Sequence, residues 1–164
     1  MTSSETKPLE ADPAGTSVAA APSRQKIIAS IAGQLGADHY PTGDRAALKR
    51  MDPDDPSPGA YAAAVRLLLN ADANAEVKND ARLKCWTLLI HAMALMSGPG
   101  HAPHGWREDH AAGRVMFESG YSEDRLRRLL EASGKTFDDL LSRMTRFLAA
   151  KQGVINWCDL APLV

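Results

Sequence analysis

A chain of 164 residues, 45% hydrophobic and 24% charged, is the size of one domain or one domain with a tail. Its 19 basic against 20 acidic side chains leave a formal net charge of −1, which excludes a uniformly basic nucleic-acid binder but not a local basic face. No run approaches the ~20 apolar residues of a spanning helix, and two cysteines, Cys85 and Cys158, are too few for a disulfide framework and read as small buried hydrophobes.

Residues 1–23 are Ser, Thr, Ala, Pro and acid, with Leu9 and Val18 as their only sizeable apolar groups. Such a segment cannot offset its ordering entropy, so a disordered tail is expected, followed by one domain over residues 24–164. The tail has neither the apolar core of a signal peptide nor the acid-free character of a transit segment, which points to a cytoplasmic protein. From Arg24 the pattern changes: Ile27, Ile28, Ile31 and Leu35 follow helical spacing until Gly36. Asp44 is expected to cap a short helix over residues 45–51. Three Asp and three Pro make residues 52–59 a loop, and Ser57-Pro58 opens a helix with Tyr61, Ala64, Val65, Leu68 and Leu69 on one face.

The longest predicted helix covers residues 76–96, with Val77, Ala81, Cys85, Leu88, Leu89, Ala92 and Met96 widened by Trp86, Ile90 and Met93. A Gly-, Pro- and His-rich loop over 97–105 precedes a helix over 108–119, stopped by Gly120. Ser122 caps the next helix, whose inner face is Leu126, Leu129 and Leu130 and which ends at Ser133-Gly134. Thr136 with Asp139 has the form of a capping box before the stripe Leu140, Leu141, Met144, Phe147 and Leu148, closed by Gly153. Asn156 caps a last turn carrying Trp157 and Leu160. No sustained alternation, hairpin dipeptide or fixed-length repeat is present. The expected fold is all-α, a compact bundle of about five to seven short helices by the count of periodic segments.

The chain has no phosphate-binding Gly loop, nucleophile elbow or HExxH. His101, His104 and His110 cluster in and near the Gly/Pro loop, but without the rigid i, i+4 helical spacing of a metal site; the plain reading is a polar loop, and no metal is expected. The acidic pairs Asp54/Asp55, Glu108/Asp109, Glu123/Asp124 and Asp138/Asp139 fall in loops or first helical turns, where capping and dipole compensation explain them. No catalytic residue, cofactor or small-molecule substrate is expected.

The basic residues are unevenly distributed. Net charge is −2 over residues 1–23, +3 over 24–50, −3 over 51–60 and +1 over 61–164. Arg45 and Lys49 stand i, i+4 with Arg50 beside them; Arg125 and Arg128 stand i, i+3 with Arg127 flanking; Arg143 and Arg146 repeat that spacing. Such ridges are commonly solvated faces paired with local acids. Arg outnumbers Lys here, which favours phosphate recognition, because the guanidinium fork matches two phosphate oxygens.

Three blocks stand in order: GDRAALKR at 43–50, AAGRVMFESGYSEDRLRRLL at 111–130, and the stripe 140–148 followed by VINWCDLAPLV. Together they resemble the small subunit of the type I-E CRISPR surveillance complex Cascade, the CasB family. With the helix at 61–69 the likeness covers nearly all of residues 24–164. Asn156 stands where the family more often has Asp, and the family's further basic, Trp-containing helix does not follow the Trp157 block. The resemblance implies a non-enzymatic, all-α subunit, two copies of which stack head to tail beside other Cascade subunits. It implies support of the guide RNA–target DNA heteroduplex and of the displaced single strand, stabilising the R-loop, with no membrane partner. Carried over by position, the nucleic-acid-binding candidates are Arg45, Lys49, Arg50, Arg114, Arg125, Arg128, Arg143 and Arg146, with Arg66, Arg82 and Arg107 behind them; Arg114 also suits a structural pair. The competing reading is a helical adaptor that binds only protein partners.

Overall fold

The structure is a computed structural model and describes residues 21–163. The expected tail lies, up to residue 20, outside the described residues. Eight α-helices and three 3₁₀ turns make up the described chain, with no β-strand among the described residues. This is the expected all-α bundle; one predicted helix is divided into two α-helices and another into a 3₁₀ turn and an α-helix.

Helix α1 (Arg24–Gly36) begins at Ser23, whose hydroxyl accepts from the Lys26 amide, and buries Ile27, Ile28, Ile31, Ala32 and Leu35. Helix α2 (Thr42–Arg50) starts earlier than predicted, with Pro41 at its cap. Asp44 is therefore inside the first turn, free to pair with Arg66 of the next helix at 2.7 Å. Helix α3 (Pro58–Asn70) does begin on the Ser57 cap with Pro58 in its first turn. Its buried face is Ala60, Ala63, Ala64, Leu67 and Leu68, which leaves Tyr61 and Leu69 exposed. With three leucines in succession and alanine on every side, the apolar pattern fits either rotation of this helix.

The predicted helix over 76–96 is broken. A single turn, α4 (Asn74–Val77), is followed by α5 (Asp80–Met96), whose N-cap Asn79 accepts from the Arg82 amide at 3.0 Å. Glu76 accepts from the Trp86 indole at 2.9 Å, which holds the short turn against the long helix and turns Trp86 inward. Ala81 and Cys85 consequently face outward; Cys85 is exposed and Cys158 only half-buried, contrary to the expectation that both are buried. Beyond that point α5 buries nearly every side chain from Trp86 to Met96, as a helix surrounded by others must. It packs against α1, α2, α3, α4 and α8.

The predicted helix over 108–119 is likewise split into a 3₁₀ turn (Glu108–His110) and α6 (Ala112–Glu118). The interruption is tertiary. The Asn156 amide donates to the His110 carbonyl at 2.6 Å, and the Asp159 carboxylate accepts from the Ala112 amide at 3.0 Å. Helix α7 (Glu123–Glu131) starts on the Ser122 cap as predicted, but only Leu129 is buried and Leu130 is exposed. Helix α8 (Gly134–Ala150) starts at Gly134, with φ of 55°, rather than at a Thr136–Asp139 capping box. It buries Phe137, Leu141, Met144 and Leu148 and lies along α5 and α7. The 3₁₀ turn Trp157–Asp159 is capped by Asn156 as predicted, and Trp157 is fully buried, its indole donating to the Pro103 carbonyl at 3.0 Å.

Candidate nucleic-acid interface

The fold sorts the predicted basic residues into different roles. Arg45 is 6% exposed and donates from Nη2 to the Leu35 carbonyl at 3.1 Å and the Ala37 carbonyl at 2.8 Å. It closes the C-terminal end of α1, with its guanidinium carbon 5.5 Å over the Tyr40 ring. Lys49 is half-buried and donates to the Ser97 carbonyl at 2.8 Å, tying α2 to the end of α5. Burial, with Arg45 nearby, holds its ammonium below the usual lysine range. Arg50, one residue on, is exposed and makes only a local contact to the Ala46 carbonyl.

Arg114 is exposed and paired with Glu118 at 2.7 Å along α6. Arg66, Arg82 and Arg107 are paired with Asp44, Glu76 and Asp109. Arg127 holds Asp124 at 2.8 Å. These side chains read as the solvated, locally compensated kind, worth little individually.

The remaining arginines are brought together. A cleft of about 380 Å³ lies between the end of α2, the loop after it, and α8, lined by Arg50, Asp52, His91, Lys135, Asp139, Arg143 and Arg146 among others. A second, of about 270 Å³, lies between α7 and α8, lined by Tyr121, Arg125, Arg128, Leu140, Arg143 and Phe147. Arg143 lines both, so the two adjoin. Around the pair stand the cations Arg50, Arg125, Arg128, Lys135, Arg143 and Arg146, against the carboxylates Asp52 and Asp139 alone. Arg50, Arg125, Arg128, Arg143 and Arg146 make no ion pair among the described residues. Lys135 shares Asp54 with Lys84, and those two hydrogen-bonded ammonium groups hold the Asp54 carboxyl below its ordinary range. An anion entering this surface meets uncommitted guanidinium forks.

Residues 44–164 match the family described as CRISPR-associated protein Cse2. The chain belongs to the Cse2 family. Cse2 is the small, structural subunit of type I-E Cascade, the CasB family. No match was found among curated proteins or solved structures. The Cse2 match contains α2 from Asp44 onward and all of α3–α8, and so both clefts; α1 lies outside it.

Two lining groups, Lys135 and His91, were not picked out from the Cse2 sequence. His91 had a visible signal: after Cys85 it is the only ionisable side chain before Met96 in an otherwise apolar run, apart from Thr87 the only polar one. Within the histidine cluster of this Cse2 chain, His104 is held in the fold. His104 accepts from the Trp157 amide at 3.1 Å and stacks edge-on with Trp106 at 4.4 Å. No group of three or more His, Cys, Asp or Glu side chains suited to a metal ion occurs among the described residues.

Proposed function

We propose that this chain serves Cascade by gripping the sugar-phosphate backbone of the guide RNA–target DNA heteroduplex and of the displaced DNA strand, without reading sequence, and so stabilises the R-loop in the cytoplasm. The observation that carries this reading is the pair of adjoining clefts in which five arginines lack carboxylate partners among the described residues. R-loop formation exchanges one duplex for another of similar stability, so a few backbone contacts tip the balance. Guide pairing supplies the sequence specificity, and the clefts need only supply charge. Low aromatic content, 5%, fits a charge-based grip better than a stacking platform. Relative to the sequence expectation, Arg45 and Lys49 become framework residues of this surface, Arg114 lies apart on α6, and Arg50, Arg125, Arg128, Arg143 and Arg146 carry the contacts. A second copy of the chain and other Cascade subunits are its expected protein neighbours.

The competing adaptor reading has its own observation. Phe117 is 83% exposed beside an apolar groove lined by Met116, Tyr121 and Leu126. A pure adaptor would use that groove and leave the clefts idle. The purified protein is titrated with single- and double-stranded DNA at 50 and 200 mM salt (about a fourfold range). Binding is expected to fall steeply with salt. Replacing Arg125, Arg128, Arg143 and Arg146 together by Ala is expected to reduce the log–log salt slope by about 3. No binding at the lower salt, together with unchanged R-loop lifetime when the subunit is omitted from Cascade, overturns the proposal.

A further inference from the structure

Beneath the larger cleft lies a group that backbone charge alone does not account for. His91 projects from the middle of α5 and is 2% exposed, yet it lines the cleft floor. Its Nδ1 lies 2.8 Å from the Leu48 carbonyl, a geometry that places the proton on Nδ1 of the neutral ring. Nε2 has no hydrogen-bond partner among the described residues, and His91 lines the cleft. The groups facing His91 are Arg50 at the end of α2, Asp52 in the following loop, and Lys135, Asp139, Arg143 and Arg146 on α8. A neutral imidazole offers only an acceptor to a cavity walled by cations, and so cannot hold an anion as it stands.

We infer that the floor of this cleft is a proton-linked oxyanion pocket: a phosphodiester oxygen enters between Arg50, Arg143 and Arg146, and His91 takes a proton on Nε2 and donates it as a hydrogen bond to that oxygen. This deepens the nucleic-acid reading and rests on it for the source of the phosphate. In the free protein the balance opposes the charged ring, and an entering anion reverses it. Burial, with the nearby Arg146, holds His91 below the ordinary histidine range, while the Leu48 carbonyl and Asp52 favour the charged ring. The Leu48 carbonyl belongs to the last turn of α2, the negative end of that helix, and is ready to accept from an imidazolium. A phosphate oxygen supplies the missing counter-charge at Nε2. The bound complex thus carries one proton more than the free protein.

The test follows the His91 ring by NMR from pH 5.5 to 8.5, in the free protein, with a single-stranded DNA oligonucleotide, and with sulfate, an oxyanion that does not titrate in this range. The expected result is an upward shift of the His91 titration with both anions. Oligonucleotide affinity should fall by up to about tenfold per pH unit above the free-state pKa, the limit for one linked proton. His91→Gln is expected to bind with that pH dependence removed. Arg146→Gln, on an exposed side chain that leaves His91 in place, is expected to reduce the shift and serves as a second check should His91→Gln not fold. Oligonucleotide binding with an unmoved His91 overturns the inference and leaves the proposed function standing. A shift with sulfate but no oligonucleotide binding keeps the pocket and overturns nucleic acid as its source. No shift with either anion overturns the pocket outright.

Discussion

Neighbouring arginines of the same sequence block have opposite fates, and the difference lies in what the chain does before them. Helix α1 ends at Gly36, leaving carbonyls at Leu35 and Ala37 that need donors, and Arg45 supplies them from inside the fold. Arg50, one and a half turns later, faces solvent. Arg45→Ala is expected to cost about 2–4 kcal/mol in urea unfolding, because buried carbonyls lose a charged donor. Arg50→Ala is expected to leave stability within about 0.5 kcal/mol and to weaken oligonucleotide binding instead. The spacing of Arg45, Lys49 and Arg50 was legible in the sequence; which of them faces inward was not, since that depends on a helix end ten residues upstream. His91 gives a pH signature in the free protein. Its native pKa lies below the unfolded value of about 6.5, so below that pH the unfolded chain binds a proton the native ring refuses. Stability is then expected to be flat above this range and to fall on acidification by up to about 1.4 kcal/mol per pH unit, until the native pKa is reached. Thermal unfolding of wild type against His91→Gln between pH 7.5 and 5.5 measures the difference.

Among elements, period-3.6 patterning located almost every helix, and capping residues located the starts of α3, α7 and the final turn. What patterning could not supply was interruption imposed from elsewhere. Asn156 and Asp159 break the 108–119 segment from a position more than 40 residues away in sequence. Asn79, by contrast, is a good cap residue in the sequence and was hidden only by the apolar period running through it. Close packing at helix ends is the other feature invisible to period. A Cβ on Gly36 would sit 2.7 Å from the Ala102 Cα, so α1 ends directly against the His-bearing loop. Gly33, in the same helix, has open space around it. Gly36→Ala is expected to destabilise by about 1–3 kcal/mol by overpacking, whereas Gly33→Ala should stabilise by up to about 1 kcal/mol. Paired thermal melts of the two variants read out the contrast.

Over the whole molecule, a net charge of −1 conceals a separation of charge that segment sums had already revealed. The fold adds the step the sums lacked: it sets α7 and α8 side by side and brings Arg50 from α2 to the same surface. The candidate site was therefore legible as residue types and not as a place. Arg114, a candidate by position in its block, and Arg127, which flanks the Arg125/Arg128 ridge, are committed to Glu118 and Asp124. Trp157, which lines neither cleft, is fully buried and plugs the base of the loop that follows α5. Trp157→Ala is expected to cost about 3–5 kcal/mol. Amide exchange across residues 98–112 should accelerate more than in α5, because the loop loses its anchor while the central helix keeps its neighbours.

The Arg24 guanidinium donates to the Ala161 carbonyl, 137 positions away. That contact, with Trp157 on Pro103 and Asp159 on Ala112, has a consequence in time. During synthesis the helices from α1 to α8 can form and pair locally, yet the first amide of α6, the loop carbonyls and the start of α1 wait for partners that follow α8 in the chain. Closing so wide a loop is entropically slow, and it comes after most of the apolar surface has been exposed to the nascent chain's surroundings. Docking of the Trp157 turn, rather than growth of any helix, is then the step that ties the first described helix to the loop after α5 and to α6.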